Sequence, residues 1–378
     1  MKRFLVSMLL ISCISAGVLS CSKKGTDAPV DPGPGTGGPG PGTPVVKDSL
    51  KVSLSAATLE NNGFDMVTIT VKDKNGVDVT STSSLYANGV SISSNTYIPA
   101  SAKPVVLTAK KGNMVSNEAV LEVKDPGISP FTQKLIVEDF TGTWCQYCPR
   151  AARLLEAYSS AHPACISVGV HGGSSTEPFT YRYISTLMNA FGVTGYPWAL
   201  VNHNTKWNEE VSVLDPELAK WAPLGLSIQS TINGTNITGT VQVKYNVNTN
   251  IPMKVMIMLV EDGLVYPQVN AYSNPANTPY YGPGLINDFV HTNVLRQIAS
   301  ADVVNGDDIP VTAQTKNNVW SKDFTFSQTG STGINTNYTV NFSKARIVAF
   351  VSYGTNTLSR KGAINAQIVK AGETKNFD

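Results

Sequence analysis

Apolar and polar positions alternate along this chain in two rhythms, and the rhythm changes twice. Over residues 49–125, apolar positions recur every second residue in short runs, at Val52 and Leu54, Met66–Val71, Val105–Ala109 and Ala119–Val123. Asn75-Gly76, Asn88-Gly89 and Lys111–Asn113 punctuate those runs. Alternation broken by such turns predicts about seven short strands, arranged as a small β-sandwich. Over residues 126–222 strands and helices take turns. Lys134–Phe140 is a mostly apolar strand closed by Thr141 and Gly142. Ala151–His162 is a helix with Ala151, Leu155 and Tyr158 on one face and Pro163 as its stop. An apolar strand at Cys165–Val170, a helix at Tyr181–Phe191, a strand at Trp198–Asn202 and a short helix at Asp215–Trp221 follow. From residue 223 the period-two pattern returns. Leu226–Ile232 and Ile237–Tyr245 flank Asn233-Gly234, a hairpin signal. Val255–Glu261, Asn337–Phe342, Arg346–Val351 and Ala363–Val369 predict further strands of a larger β-sandwich. The expectation is a multidomain chain, α/β in the middle and all-β on both sides.

The first twenty residues change the picture by setting a compartment. Lys2 and Arg3 precede an apolar run from Phe4 to Ile14, and Val18-Leu19-Ser20 leads into Cys21. This resembles a bacterial lipoprotein signal peptide, which implies cleavage before Cys21 and lipidation at that cysteine. The apolar run is too short and interrupted to span a bilayer. Residues 21–48 are rich in Pro and Gly and bury nothing, so they read as a linker. Extended, its roughly 27 residues would reach about 80 Å from the lipid surface. Removing Lys2 and Arg3 from the 29 basic residues leaves 27 against 27 acidic, with no basic patch for nucleic acid. The predicted layout is a signal peptide (1–20), the lipidated linker (21–48), a β-sandwich (49–125), a strand–helix domain with the cysteine pair (126–222) and a C-terminal β-sandwich (223–378).

The chemistry concentrates at Thr143–Arg150, between a strand and a helix. Cys145 and Cys148 are the only close cysteine pair. A helix start favours thiolate over thiol, because its unpaired N–H groups and dipole stabilise negative charge. Disulfides persist outside the cytoplasm, so a Cys145–Cys148 bond is expected. Cys165, alone in an apolar strand, reads as a small core hydrophobe. Zinc would need four ligands, and His171 and His203 show no ligand spacing, so no metal is expected. An inert disulfide is disfavoured because a two-residue gap restrains the unfolded chain little. His171 ends its strand where it can line the same cleft. His291, Asn293 and Arg296 read as a structural hydrogen-bond cluster. Residues 265–284 form a long loop with four tyrosines, Tyr266, Tyr272, Tyr280 and Tyr281.

Residues 126–222 resemble a thioredoxin-fold domain. The resemblance implies that Asp139, six residues before Cys145, is a buried acid serving Cys148, and that Trp144 is the tryptophan preceding the reactive cysteine. It implies further that Pro197 is a cis-proline facing the disulfide, with the Tyr196 backbone pairing with an extended substrate. Gln146-Tyr147 between the cysteines and Pro149 after them depart from the thioredoxin pattern. Residues 49–125 look like the immunoglobulin-like modules of bacterial surface proteins. Taken with Phe289–Arg296 (Phe-Val-His-Thr-Asn-Val-Leu-Arg), the whole resembles the Omp28-related outer-membrane lipoproteins of Bacteroidetes. Two functions are expected. One is a lipid-anchored thiol–disulfide oxidoreductase of the outer membrane, acting on protein thiols or disulfides with no cofactor. The alternative is a surface binding or adhesion lipoprotein, whose β-sandwiches take a protein or glycan ligand and whose cysteine domain is a scaffold.

Overall fold

Strands dominate the computed structural model, which describes residues 46–334, 336–354 and 362–378. The expected signal peptide, Cys21 and the linker up to residue 45 lie outside the described residues. Between Val46 and Lys124 the alternating runs form strands whose inward positions, among them Val67, Ile69, Val71, Leu107 and Leu121, make a core of their own. Asn88 and Gly89 both take positive φ (48° and 80°) between strands Ser84–Ala87 and Val90–Ile92. That is the two-residue hairpin turn their sequence calls for.

The larger body is organised by one nine-stranded sheet. Its strands in chain order are β1 (Leu135–Thr141), β2 (Cys165–His171), β3 (Trp198–Val201), β4 (Thr205–Trp207), β5 (Met253–Glu261), β6 (Val294–Ile298), β7 (Asp307–Ile309), β8 (Ala345–Tyr353) and β9 (Ala363–Lys370). In space they run β4-β3-β1-β2-β6-β5-β8-β9, with β7 beside β5. β2 lies parallel to β1 along its length and parallel to β6 at Gly169 and Val294, while β3 is antiparallel to β1. Helix α1 (Cys148–Ala161) packs Ala151, Leu155 and Tyr158 on Leu135 and Val137 of one face. Helix α2 (Ile184–Phe191) packs Ile184 and Leu187 on Ile136, Phe140 and Val168 of the other. Further along, Val255, Ile257 and Leu259 of β5 meet a four-stranded sheet through Leu226, Ile228, Val241 and Val243. Both faces of the central strands are therefore buried.

This architecture corrects the expected fold class. No thioredoxin-like α/β core stands as a unit between two β-sandwiches. The fold is mostly β, with several sheets, and β1–β4 share their sheet with β5–β9 from the C-terminal region. The physical reason lies in β2. Its outer edge would expose unpaired backbone N–H and C=O groups, and β6 covers it. Periodicity marks both segments as strands but does not say which strands are neighbours. The strands and helices expected over 134–202 are present, and helix Asp215–Trp221 shortens to α3 (Asp215–Leu218).

Candidate functional site around the Cys145–Cys148 disulfide

β1 ends at Thr141, and residues 142–147 turn the chain into α1. Cys145 and Cys148 are joined by a disulfide, with Cα atoms 5.4 Å apart. Cys148 is the first residue of α1 and Cys145 lies one turn before it, the Cys148 N–H donating to the Cys145 carbonyl at 3.2 Å. Pro149 sits in the first helical turn, where its missing N–H costs no helical bond. Both cysteines are nearly enclosed, Cys145 keeping 4% of its surface and Cys148 1%.

The rim is aromatic. Trp144 and Tyr147 are exposed, and Trp144 stands edge-on to Tyr196 with ring centres 5.6 Å apart. The Trp144 indole N–H donates to the Gly172 carbonyl at 2.9 Å. The Tyr196–Pro197 peptide is cis, directly before β3. Gly173 makes this contact possible. Its φ is +80°, and a Cβ there would fall 2.1 Å from Tyr196 and 2.8 Å from Trp144.

Asp139 lies on the α1 face of β1, and its register partner on β2 is Gly169. Asp139 and Cys148 line one cavity of about 50 Å³, together with Thr141, Gly169, His171, Gln268 and His291. Asp139 Oδ1 is buried without a hydrogen-bond partner. Burial, with a smaller push from Glu209, raises the Asp139 carboxyl to about 7. The neighbouring acid is also buried but has a partner. Glu138 faces α2, where its Oε2 meets His203 Nδ1 at 2.6 Å, and His203 Nε2 meets the Val304 carbonyl at 2.6 Å. Two oxygen acceptors suit an imidazolium. Burial lowers the His203 pKa, but Glu138 and Val304 outweigh it and the net shift is upward.

Three neighbours of the disulfide come from segments whose link to it was hidden in the sequence. Glu177, in the loop after β2, accepts from the Thr143 N–H (2.6 Å) and hydroxyl (2.9 Å) and holds His171 Nδ1 at 3.0 Å. The loop over residues 265–284 crosses the motif. Val269 N–H donates to the Thr143 carbonyl and Ala271 N–H to the Gln146 carbonyl, and Gln268 Nε2 donates to the Cys145 carbonyl at 2.9 Å. Arg150 of α1 pairs with Glu209 and donates to the Tyr272 hydroxyl at 2.6 Å. His291 was expected in a structural cluster with Asn293 and Arg296. Its ring instead stands 5.1 Å from that of His171, whereas Arg296 lies over the Tyr338 ring, 3.8 Å from its centre. A lone acid six residues past His171 was the one signal that could have singled out Glu177. Cys165 is a free, buried thiol that burial pushes up to about 12.

No curated protein matches this sequence. A solved structure, HBP35 of Porphyromonas gingivalis, superimposes with a TM-score of 0.48 at 18% identity, over 64% of this chain and 76% of that one. A likeness at that level carries no functional argument. The family model described as outer membrane protein Omp28 matches residues 184–375, just over half of the chain. On that match the chain belongs to the Omp28 outer-membrane protein family, which supports an outer-membrane location.

Proposed function

We propose that this outer-membrane protein carries out thiol–disulfide exchange with protein thiols or disulfides through Cys145 and Cys148. One observation carries the reading. A buried carboxyl with an unpartnered oxygen, raised to about 7, shares a small cavity of mixed polar and apolar lining with Cys148 behind the disulfide. A group of that kind both accepts and donates protons near neutral pH. In the oxidising direction, a substrate thiolate attacks the Cys145 sulfur, the Cys145–Cys148 bond breaks, and Cys148 leaves as a thiolate that Asp139 protonates. A second substrate thiolate then attacks the substrate sulfur, forming the substrate disulfide and releasing Cys145 as thiolate. Trp144, Tyr147 and Tyr196 give the apolar rim on which an extended segment would lie. Lipidation at Cys21 would tether the protein by its N-terminus.

A second reading rests on a different observation. Gln268 and the backbone of Val269 and Ala271 tie the 265–284 loop down over the motif, and both cysteines are nearly enclosed. On this reading the disulfide is a clamp, and the protein is a surface binding or adhesion protein, as the family's outer-membrane character suits. Equilibration against redox buffers separates the two. A working pair reduces well above −300 mV, roughly the ceiling for structural disulfides, and Cys148→Ser accumulates mixed disulfides through Cys145 in the native envelope. A pair still oxidised at about −300 mV, with nothing trapped, leaves the binding reading.

A further inference from the structure

His171 and Glu177 form a second buried acid–base pair at the disulfide, at the end of β2 and in the loop that follows it. Glu177 Oε2 accepts twice from Thr143, and Oε1 accepts from the Phe179 N–H at 3.2 Å besides meeting His171 Nδ1. Burial raises the Glu177 pKa, but those donors outweigh it and hold the carboxyl below its ordinary range. An ionised carboxylate only accepts, so the ring nitrogen facing Glu177, Nδ1, is the one that carries a proton, and Nε2 is the nitrogen that can exchange one. The Cδ2–Nε2 edge of the ring lies beside Gly169. An ideal Cβ on Gly169 would lie 3.7 Å from Nε2. Gly169 is the register partner of Asp139, and a glycine there leaves the space between Asp139 and His171 open. A volume of about 50 Å³ is room for a water molecule, and polar groups line it.

We propose that the Glu177–His171 pair is the proton acceptor behind Asp139, receiving through the gap at Gly169 the proton that Cys148 loses when the disulfide re-forms. The proposal rests on the exchange reading above. In the closing step Cys145 carries a substrate sulfur. The Cys148 S–H bond breaks, the Cys148 sulfur attacks Cys145, the bond from Cys145 to the substrate sulfur breaks, and the substrate leaves as a thiolate. The proton passes from Cys148 to Asp139 and on to His171 Nε2, where Glu177 balances the imidazolium charge. When the disulfide next opens, the same proton returns from His171 through Asp139 to the Cys148 thiolate.

The other charged and titratable groups around His171 fit this role. His291, on the adjoining segment, is pushed down to about 4 by burial and by His171, so it stays neutral and does not repel an imidazolium. Glu156 of α1 also lines the cavity, and the Arg296 guanidinium lies over the Phe179 ring, 5.9 Å from its centre. Glu177 is a positioning residue, acting only through His171.

The test uses the reduced full chain and glutathione disulfide as probe, following the closing step by rapid quench from pH 5 to 9. His171→Gln removes the base. Glu177→Gln offers an N–H to Nδ1, which reverses the ring tautomer and turns Nε2 into a donor. Gly169→Ala puts a methyl group in the gap, and its nearest neighbour there is 3.5 Å away, so the strand accommodates it. The first two variants are expected to slow closing about tenfold at pH 7 and to shift its pH midpoint, with a smaller effect of the same kind from Gly169→Ala. Attack of Cys145 on glutathione disulfide, read in a Cys148→Ser background, stays within about twofold. Closing rates that superimpose on wild type across the pH range overturn the relay alone. A wild type that never forms the mixed disulfide overturns the exchange reading and the relay together.

Discussion

Two carboxylates stand side by side on β1 and live in opposite worlds. Glu138 and Asp139 are both buried, at 2% and 5% exposure, and the strand's alternation sends them to opposite faces. Glu138 meets a histidine whose other nitrogen is also satisfied. Asp139 meets a cavity and no partner for one of its oxygens. Burial alone therefore does not set the state of an acid; its partners do. A paired buried charge holds the fold in one arrangement, whereas an unpaired acid has its ionised form opposed by burial.

The contrast can be broken from the Glu138 side first. Glu138→Ala strands His203 between its Val304 bond and the rings of Phe191 and Phe350. A loss of about 3–5 kcal/mol is expected in urea unfolding at pH 6, since breaking a buried pair leaves an uncompensated charge. Because the His203 pKa is raised in the folded state, the part it contributes is present at low pH. That part is lost as pH climbs through the folded value, so the penalty shrinks toward pH 9.

On the Asp139 side the sign reverses. Its folded value of about 7 lies above the unfolded one, so ionising it opposes folding between pH 4 and 7 and most fully above 7. Asp139→Asn is expected to stabilise the protein at pH 8, by on the order of 3 kcal/mol, and to change little at pH 4. Denaturant midpoints at the two pH values check this, and equal effects at both would mean Asp139 carries no raised value. The smallest effect belongs to Glu209→Gln. It removes the negative charge that adds to the Asp139 shift and breaks the half-buried pair with Arg150, costing on the order of 1 kcal/mol. Carboxyl carbon NMR should show Asp139 titrating slightly lower than in wild type.

The chain's local order was legible. Alternation located β1, β2 and β3, Pro163 stopped α1, and the six-residue spacing drew attention to Asp139. What escaped was every relation that depends on which distant segment arrives beside the motif. Glu177, Gln268 and His291 reach the disulfide because β2 pairs with β6 and the 265–284 loop folds back over α1, and no periodicity carries that information. The expected α/β core failed for the same reason. A strand fully buried on both faces looks alike at the centre of a small sheet and in the middle of a large one.

The pairing of β2 with β6 also sets an order of events as the chain matures. Gly169 cannot meet Val294 until the whole intervening chain has emerged, and such non-local contacts form late. Until then β2 has an open edge, while Cys165 packs among Leu135, Ala151, Leu155 and Tyr158, which all precede β6 in the chain. The short separation of Cys145 and Cys148 gives their bond the entropic advantage over any bond to Cys165. Helix α1 and its neighbours, not the late strand, put Cys165 out of reach, so this thiol is covered by elements that all precede β6 in the chain.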